Sequence, residues 1–231
     1  VMKKVNTQMN MSEVTICYGM TETAPVSFQS FIDDPIDKRC ETVGRVHPHL
    51  EVKIVDKLGQ IVSIGTPGEL CTRGYSVMNG YWNDNDMTND VIHDGWMHTG
   101  DLGVLTEEGC LVITGRLKDL IIRGGENLSP REVEDALHEH SEIYEAAVVA
   151  MPHERLGETG CAFVVLNQNA SLSFDEMILS LEKTGMARQK YPERLVVVEK
   201  FPRTPAGKIR KNVLREQIRI KIKEDVGTLN R

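Results

Sequence analysis

Apolar and polar positions alternate over short stretches in the first half of the chain and shift to a helical period in the second. Val1 to Glu13 reads as a polar helix that leads into a short apolar strand, Val14 to Cys17. From Glu41 to Gly115 the pattern predicts short strands and turns. Leu50 to Val55 alternates, Lys57-Leu58-Gly59-Gln60 turns, and Glu69 to Arg73 and Val77 to Trp82 are further strands. Leu102 to Leu105 and Cys110 to Thr114 flank the turn Thr106-Glu107-Glu108-Gly109 and read as a hairpin. Together these segments predict a small antiparallel sheet or barrel.

The period changes past the strand that ends at Gly115. Ser129-Pro130-Arg131-Glu132 sets out a capping serine, a first-turn proline and a glutamate three residues on, so a helix runs to about His140. Apolar strands follow at Ala146 to Ala150 and Cys161 to Leu166, and Ser173-Phe174-Asp175-Glu176 repeats the capping pattern before a second helix. Leu195 to Val198 reads as a strand, and Ile209 to Lys223 as a basic amphipathic helix. The chain thus divides near Lys118. Residues 1–117 form the end of an α/β domain with a β-rich portion at about 41–115, and residues 118–231 form a compact α+β domain. The chain opens inside an element, with no signal segment, which predicts a piece of a longer protein.

Length and composition add exclusions more than identities. The 231 residues are 40% hydrophobic and 26% charged, as in an ordinary globular protein. A formal net charge of -7 argues against nucleic acid as the main partner. No apolar run approaches the roughly 20 residues of a membrane helix. Cys17, Cys40, Cys71, Cys110 and Cys161 lie far apart without a C-x-x-C pair, as expected of reduced thiols in a cytoplasmic setting. His138 and His140 face different sides of one helix, and His47-Pro48-His49 lacks further ligands at zinc spacing, so both read as surface residues.

Four segments carry candidate chemistry, each with a plainer structural alternative. Tyr18-Gly19-Met20-Thr21-Glu22-Thr23 follows an apolar strand. There a tyrosine can stack on a base, a threonine can bond a phosphate or carboxylate, and a glutamate can hold Mg²⁺; a polar loop with a helix cap would look the same. In Trp96-Met97-His98-Thr99-Gly100-Asp101 the aspartate can accept both hydroxyls of a ribose, although Thr-Gly-Asp is also a common turn. Gly115 to Asn127 contains Arg116, Lys118 and the pair Gly124-Gly125, where positive φ and close approach are open to the backbone. Pro202-Arg203-Thr204-Pro205-Ala206-Gly207-Lys208 is a stiff loop presenting one lysine, unlike a P-loop; alone, Lys208 would be a solvated charge. A fifth stretch, Gly68 to Gly74 with Gly80-Tyr81-Trp82, reads as structural, its aromatic pair packing.

In this order the segments resemble the adenylate-forming superfamily of acyl- and aryl-CoA synthetases, adenylation domains and beetle-type luciferases, from about Val14 to Glu216. The resemblance implies a carboxy-terminal part of an acyl-CoA synthetase. Such an enzyme activates a carboxylic acid with ATP and Mg²⁺ and transfers the acyl group to coenzyme A. Tyr18 and Gly19 would flank the adenine, Thr21 the phosphate or carboxylate, and Glu22 the magnesium. Asp101 and Arg116 would hold the ribose, Lys118 would be the hinge, and Gly124 and Gly125 would face the pantetheine. Lys208 would serve the adenylation step. The stretch R-G-G-E-N-L-S-P-R-E-V-E is similar to synthetases for medium-chain or cyclic acids. Two alternatives remain: an adenylation domain that loads a carrier protein, and a non-catalytic module. The family's triphosphate loop would lie upstream of Tyr18, so the isolated chain is expected to be inactive. The basic helix would pack its apolar stripe, with CoA phosphates or an acidic membrane as other uses for its lysines.

Overall fold

Alternation becomes pairing where both neighbours can complete a ladder. The computed structural model describes residues 2–229, and side chains through residue 225. Its contacts divide the chain into two compact units, Val1–Leu117 and Lys118–Arg231.

The first unit opens with helix α1 (Met2–Gln8) and strands β1 (Cys17–Tyr18) and β2 (Phe28–Gln29). Helix α2 (Ile36–Glu41) and strand β3 (Arg45–Val46) follow, and β1, β2 and β3 form one antiparallel sheet. Then come β4 (Leu50–Val55), β5 (Gly68–Gly74), α3 (Asn85–Val91), β6 (Ile92–His93), β7 (Trp96–Leu105) and β8 (Leu111–Arg116). These five strands form a second antiparallel sheet in the order β4-β5-β7-β6, with β8 also on β7. The inward side chains Ile54, Leu70 and Leu111 meet Phe28 of the small sheet in one core. Buried Arg39 of α2 donates to the carbonyls of Ser12 and Val14 at 2.9 and 2.7 Å, which fixes the approach to β1.

The strand expected at Val77 to Trp82 does not form. Its amides are spent elsewhere: Val77 donates to Gly74 O and Met78 to Glu22 O. Gly74 and Gly80 at either side take φ of 144° and 152°, outside the range of a regular strand. The expected polar helix ends at Gln8 rather than at Glu13, and the strand that follows is Cys17–Tyr18.

The second unit begins with a hairpin of β9 (Ile121–Arg123) and β10 (Glu126–Leu128), followed by α4 (Pro130–His138). Strands β11 (Ile143–His153) and β12 (Gly157–Leu166), helix α5 (Phe174–Lys183), strand β13 (Arg194–Val197) and helix α6 (Lys211–Leu229) complete it. The sheet runs β10-β9-β12-β11, and β13 lies parallel on β12. The apolar runs in β11 and β12 are continuous because both sheet faces are covered. Ala146, Val148, Ala150, Ala162 and Val164 share one core with Val133 and Leu137 of α4 and Met177 and Leu181 of α5. Ala147, Val149, Cys161 and Phe163 share the other with Leu214 and Ile218 of α6, one helical turn apart. The capping box forms as expected at α5: Glu176 N donates to Ser173 Oγ at 3.3 Å, and Ser173 N to Glu176 Oε2 at 2.8 Å. No helix among the described residues is long and apolar enough to cross a membrane.

Leu214 is fully buried, so truncating it leaves a cavity between α6 and the sheet. Leu214→Ala is expected to cost about 2–5 kcal/mol of unfolding free energy. A denaturant midpoint unchanged from the parent would show that α6 does not pack this face.

Candidate functional site

In the first unit, two separate segments converge on a carboxylate carried by a third. Strand β7 carries Asp101 directly opposite Arg116 of β8. Arg116 Nε donates to Asp101 Oδ1 at 2.7 Å, and Tyr18 Oη donates to Asp101 Oδ2 at 2.7 Å from across the fold. Asp101 is only 5% exposed, so this pairing on both oxygens offsets its removal from water. Each oxygen keeps a further lone pair and can accept a hydroxyl. The edge of the Tyr18 ring meets buried Phe28, with centroids 6.2 Å apart. Burial first, and the charge of Asp101 second, push the Tyr18 phenol well above its ordinary range.

Thr99-Gly100-Asp101 is a bulge within strand β7 rather than the turn expected from its residues, and it is held from several sides. Gly100 sits at φ 70°, and its amide donates to Glu69 Oε1 at 3.1 Å. Thr99 Oγ1 donates to Leu70 O at 2.8 Å and accepts from Asp101 N at 3.1 Å. His98 Nδ1 lies 2.8 Å from Glu69 Oε2. Lys53 and Arg73 place their charged heads 4.4 and 4.5 Å from the centre of the Trp96 ring.

Gly19 follows Tyr18, and no larger residue fits there: a Cβ would stand 1.8 Å from the carbonyl oxygen of Pro25. That close approach turns the chain into the short 3₁₀ helix Thr21–Thr23. Thr21 is exposed and Glu22 half-buried. Glu22 Oε1 accepts from Tyr81 Oη at 2.9 Å. Burial, together with that bond, raises the Tyr81 phenol. The remaining oxygen and lone pairs of Glu22 suit a hard cation that also binds phosphate oxygens, so the residue fits Mg²⁺. The expectation that the Tyr81-Trp82 pair packs is corrected: Tyr81 bonds Glu22, whereas Trp82 is 91% exposed.

The remaining candidates lie in the second unit. Lys118 begins it, within a short 3₁₀ turn, and its carbonyl accepts from Arg215 Nη1 of α6 at 3.3 Å. The same guanidinium bonds Asp119 Oδ1 at 3.0 Å. Gly124 and Gly125 form the two-residue loop between β9 and β10 with φ of 58° and 91°, as a tight hairpin turn of this kind demands. Gly124 N donates to Leu156 O at 2.8 Å, and a Cβ on Gly125 would meet nothing. Lys208 is exposed on a loop closed by Thr204 N to Lys208 O and Gly207 N to Thr204 O, both 2.9 Å.

The structure therefore joins Tyr18, Asp101 and Arg116 by direct bonds and seats Gly19 beside them in sequence. Glu22 bonds Tyr81 instead. Glu69 and Tyr81 are the polar supports that sequence reasoning missed. The available signal for Glu69 was its strand position, two residues from Cys71 on one face and across from the His98 to Leu102 segment of β7.

Comparison with known proteins gives these positions a context. The model of the AMP-binding enzymes matches residues 1–82, and that of the AMP-binding enzyme C-terminal domain matches residues 132–208. The Bacillus subtilis acyl-CoA synthetase homologue YngI is 47% identical over 219 residues, covering 94% of this chain and 40% of its own length. The mitochondrial medium-chain acyl-CoA ligase ACSF2 of Bos taurus is 41% identical over 220 residues, covering 94% of this chain and 36% of its own length. The Bacillus subtilis o-succinylbenzoate CoA synthetase MenE, solved with its acyl-adenylate, superposes with a TM-score of 0.83 at 30% identity. That match covers 93% of this chain and 43% of the MenE chain. The chain thus spans about two-fifths of the length of these relatives.

The Tyr18–Asp101 bond is open to direct measurement. Because the phenol is raised, its proton stays on above pH of about 10, the ordinary tyrosine value. Any stability linked to it is present below that pH and is lost as pH rises through the raised value. In an alkaline titration followed by phenolate absorbance, Tyr18→Phe should remove a late-ionising tyrosine. Loss of an ordinary step instead would mean that the phenol is not held on Asp101.

Proposed function

The chain belongs to the AMP-binding, adenylate-forming enzymes, and we propose that the complete protein is an AMP-forming acid–thiol ligase. It activates a carboxylic acid as its acyl-adenylate and passes the acyl group to coenzyme A. The observation that carries the proposal is the convergence of Tyr18 and Arg116 on buried Asp101. A carboxylate held on both oxygens is preorganised to accept a vicinal pair of hydroxyls, as a ribose presents. The medium-chain acyl-CoA ligases among the relatives support an aliphatic acid of medium length as the substrate.

Tyr18 and Gly19 line the base, and exposed Thr21 donates to the α-phosphate or the acid carboxylate. Glu22, steadied by Tyr81, holds Mg²⁺, which neutralises phosphate charge when bound. Lys208 stabilises the negative charge that builds on the transferring phosphoryl group while the acid carboxylate attacks the α-phosphorus and pyrophosphate leaves. The thiol of coenzyme A then attacks the acyl carbon, AMP departs, and the Gly124-Gly125 turn offers its backbone to the pantetheine arm. Lys118 is the pivot that lets the second unit serve both steps. The chain spans about two-fifths of the length of its relatives, so both steps are proposed for the complete protein. Its five unpaired cysteines support a reducing compartment such as the cytoplasm.

Half-reactions of the complete protein separate these roles. Lys208→Ala should slow adenylate formation by about 10²–10³, with thioester formation from supplied acyl-adenylate largely spared. Lys118→Pro, which locks φ near -65°, should instead leave one half-reaction intact and collapse the other. Equal loss of both half-reactions in each folded variant would contradict the assignment.

A further inference from the structure

Beside the Thr99-Gly100-Asp101 bulge of β7 lies a cluster with the make-up of a metal site. Glu69 and Cys71 stand two residues apart on β5 and so point to one face of the sheet. The register places Cys71 opposite His98 of β7, and a shift in the pairing between Glu69 and Cys71 brings the carboxylate toward the same imidazole. Cys71 Sγ lies 3.5 Å from His98 Nδ1, and His98 Nδ1 lies 2.8 Å from Glu69 Oε2. One ligand atom from each of the three residues lies within 4.8 Å of the others.

These spacings can be set against zinc chemistry. Bonds of about 2.3 Å to sulfur and about 2.0–2.1 Å to nitrogen and oxygen put tetrahedral ligand atoms roughly 3.3–3.6 Å apart. The sulfur–nitrogen pair already has that separation. The carboxylate oxygen needs to withdraw by about half an ångström, a small rotation for a glutamate. The other Glu69 oxygen is anchored by the Gly100 amide, which supplies the outer support that metal ligands commonly have. An approach from solvent exists, since the side chains of His98 and Glu69 are 25% and 16% exposed. His93 stands nearby with its ring 5.0 Å from that of His98, and the positive charge of Lys53 acts on Cys71.

We propose that Glu69, Cys71 and His98 form a three-ligand site for Zn²⁺, with water in the fourth position. The set is one thiolate, one imidazole and one carboxylate, a mixture that favours a borderline-soft divalent ion over Mg²⁺ or Ca²⁺. Without metal, Cys71 is a buried neutral thiol whose pKa burial pushes up to about 12. Binding replaces the thiol proton with the metal, and the proton leaves to solvent. None of its ligands is assigned to substrate, although Glu69 also braces the backbone before Asp101.

The test uses the complete protein stripped of metal and titrated with Co²⁺, whose thiolate complexes absorb strongly. The expected result is a saturable thiolate-to-cobalt band at one equivalent, displaced by Zn²⁺. Affinity should fall at least tenfold in Cys71→Ser and in His98→Gln, each checked for folding by circular dichroism, and should be unchanged in Cys17→Ser, which removes an exposed thiol. Absence of a thiolate band would show a hydrogen-bonded cluster only and overturn the proposal. So would a band that survives Cys71→Ser or disappears with Cys17→Ser.

Discussion

A carboxylate withdrawn from water must be bonded from several directions, and Asp101 sets this requirement for the whole first unit. It is 5% exposed and accepts from Tyr18 on one oxygen and from Arg116 on the other. Losing either donor would leave a buried charge partly uncompensated, which is far costlier than the net worth of the bond itself. The bond to Tyr18 ties the small sheet to the β7–β8 pair across 83 residues of sequence. The phenol also rests edge-on against Phe28, so the aromatic core and the polar site brace each other. Around this centre the Thr99, Gly100 and Glu69 contacts fix the bulge of β7, and Gly19 admits the Pro25 carbonyl where any side chain would collide.

The second unit meets a different demand, that of holding loops on a firm base. Its sheet is apolar on both faces, with α4 and α5 on one and α6 on the other. Helix α6 does more than cover a surface: Arg215 reaches the Lys118 carbonyl and the Asp119 carboxylate, steadying the first residues of the unit. The double-glycine hairpin is anchored through the Leu156 carbonyl. Behind it, Glu193 bonds Arg123 at 2.8 Å and lies 3.4 Å from His153, whose Nδ1 accepts from the amides of Arg155 and Leu156. Gly125 and Lys208 thus project from loops that are themselves well tied.

Much of this was legible because local chemistry decided it. The Ser173–Glu176 box, the helix opening at Pro130 and the apolar runs of β11 and β12 each follow from a few neighbouring residues. The Leu102-to-Thr114 hairpin was equally plain from its turn. What escaped notice depended on partners distant in sequence. Val77 to Trp82 has strand-like residues, yet Met78 gives its amide to Glu22, and Tyr81 sends its hydroxyl to the same residue. Helix α3 begins where Asp84 Oδ1 accepts from Met87 N, a cap within a polar stretch that lacks an apolar stripe. For the candidate site, residue types in order pointed to Tyr18, Asp101 and Arg116, but only the fold shows that the three are bonded together. Glu69 carried only its strand position as a signal, and a glutamate on a strand is ordinary until its neighbours are known.

The central claim is that Asp101 is a preorganised acceptor for the hydroxyls of a ribose. The most direct measurement is the calorimetric affinity of the complete protein for AMP, with Asp101 intact and with Asp101→Asn. The amide keeps the shape and loses the charge. Hydrogen bonds to a charged group contribute about 1.5–3 kcal/mol, so the account predicts AMP binding weakened by roughly 10- to 100-fold, with circular dichroism unchanged. Equal affinity in a folded Asp101→Asn protein would contradict it and make the Tyr18–Asp101–Arg116 cluster a structural brace alone.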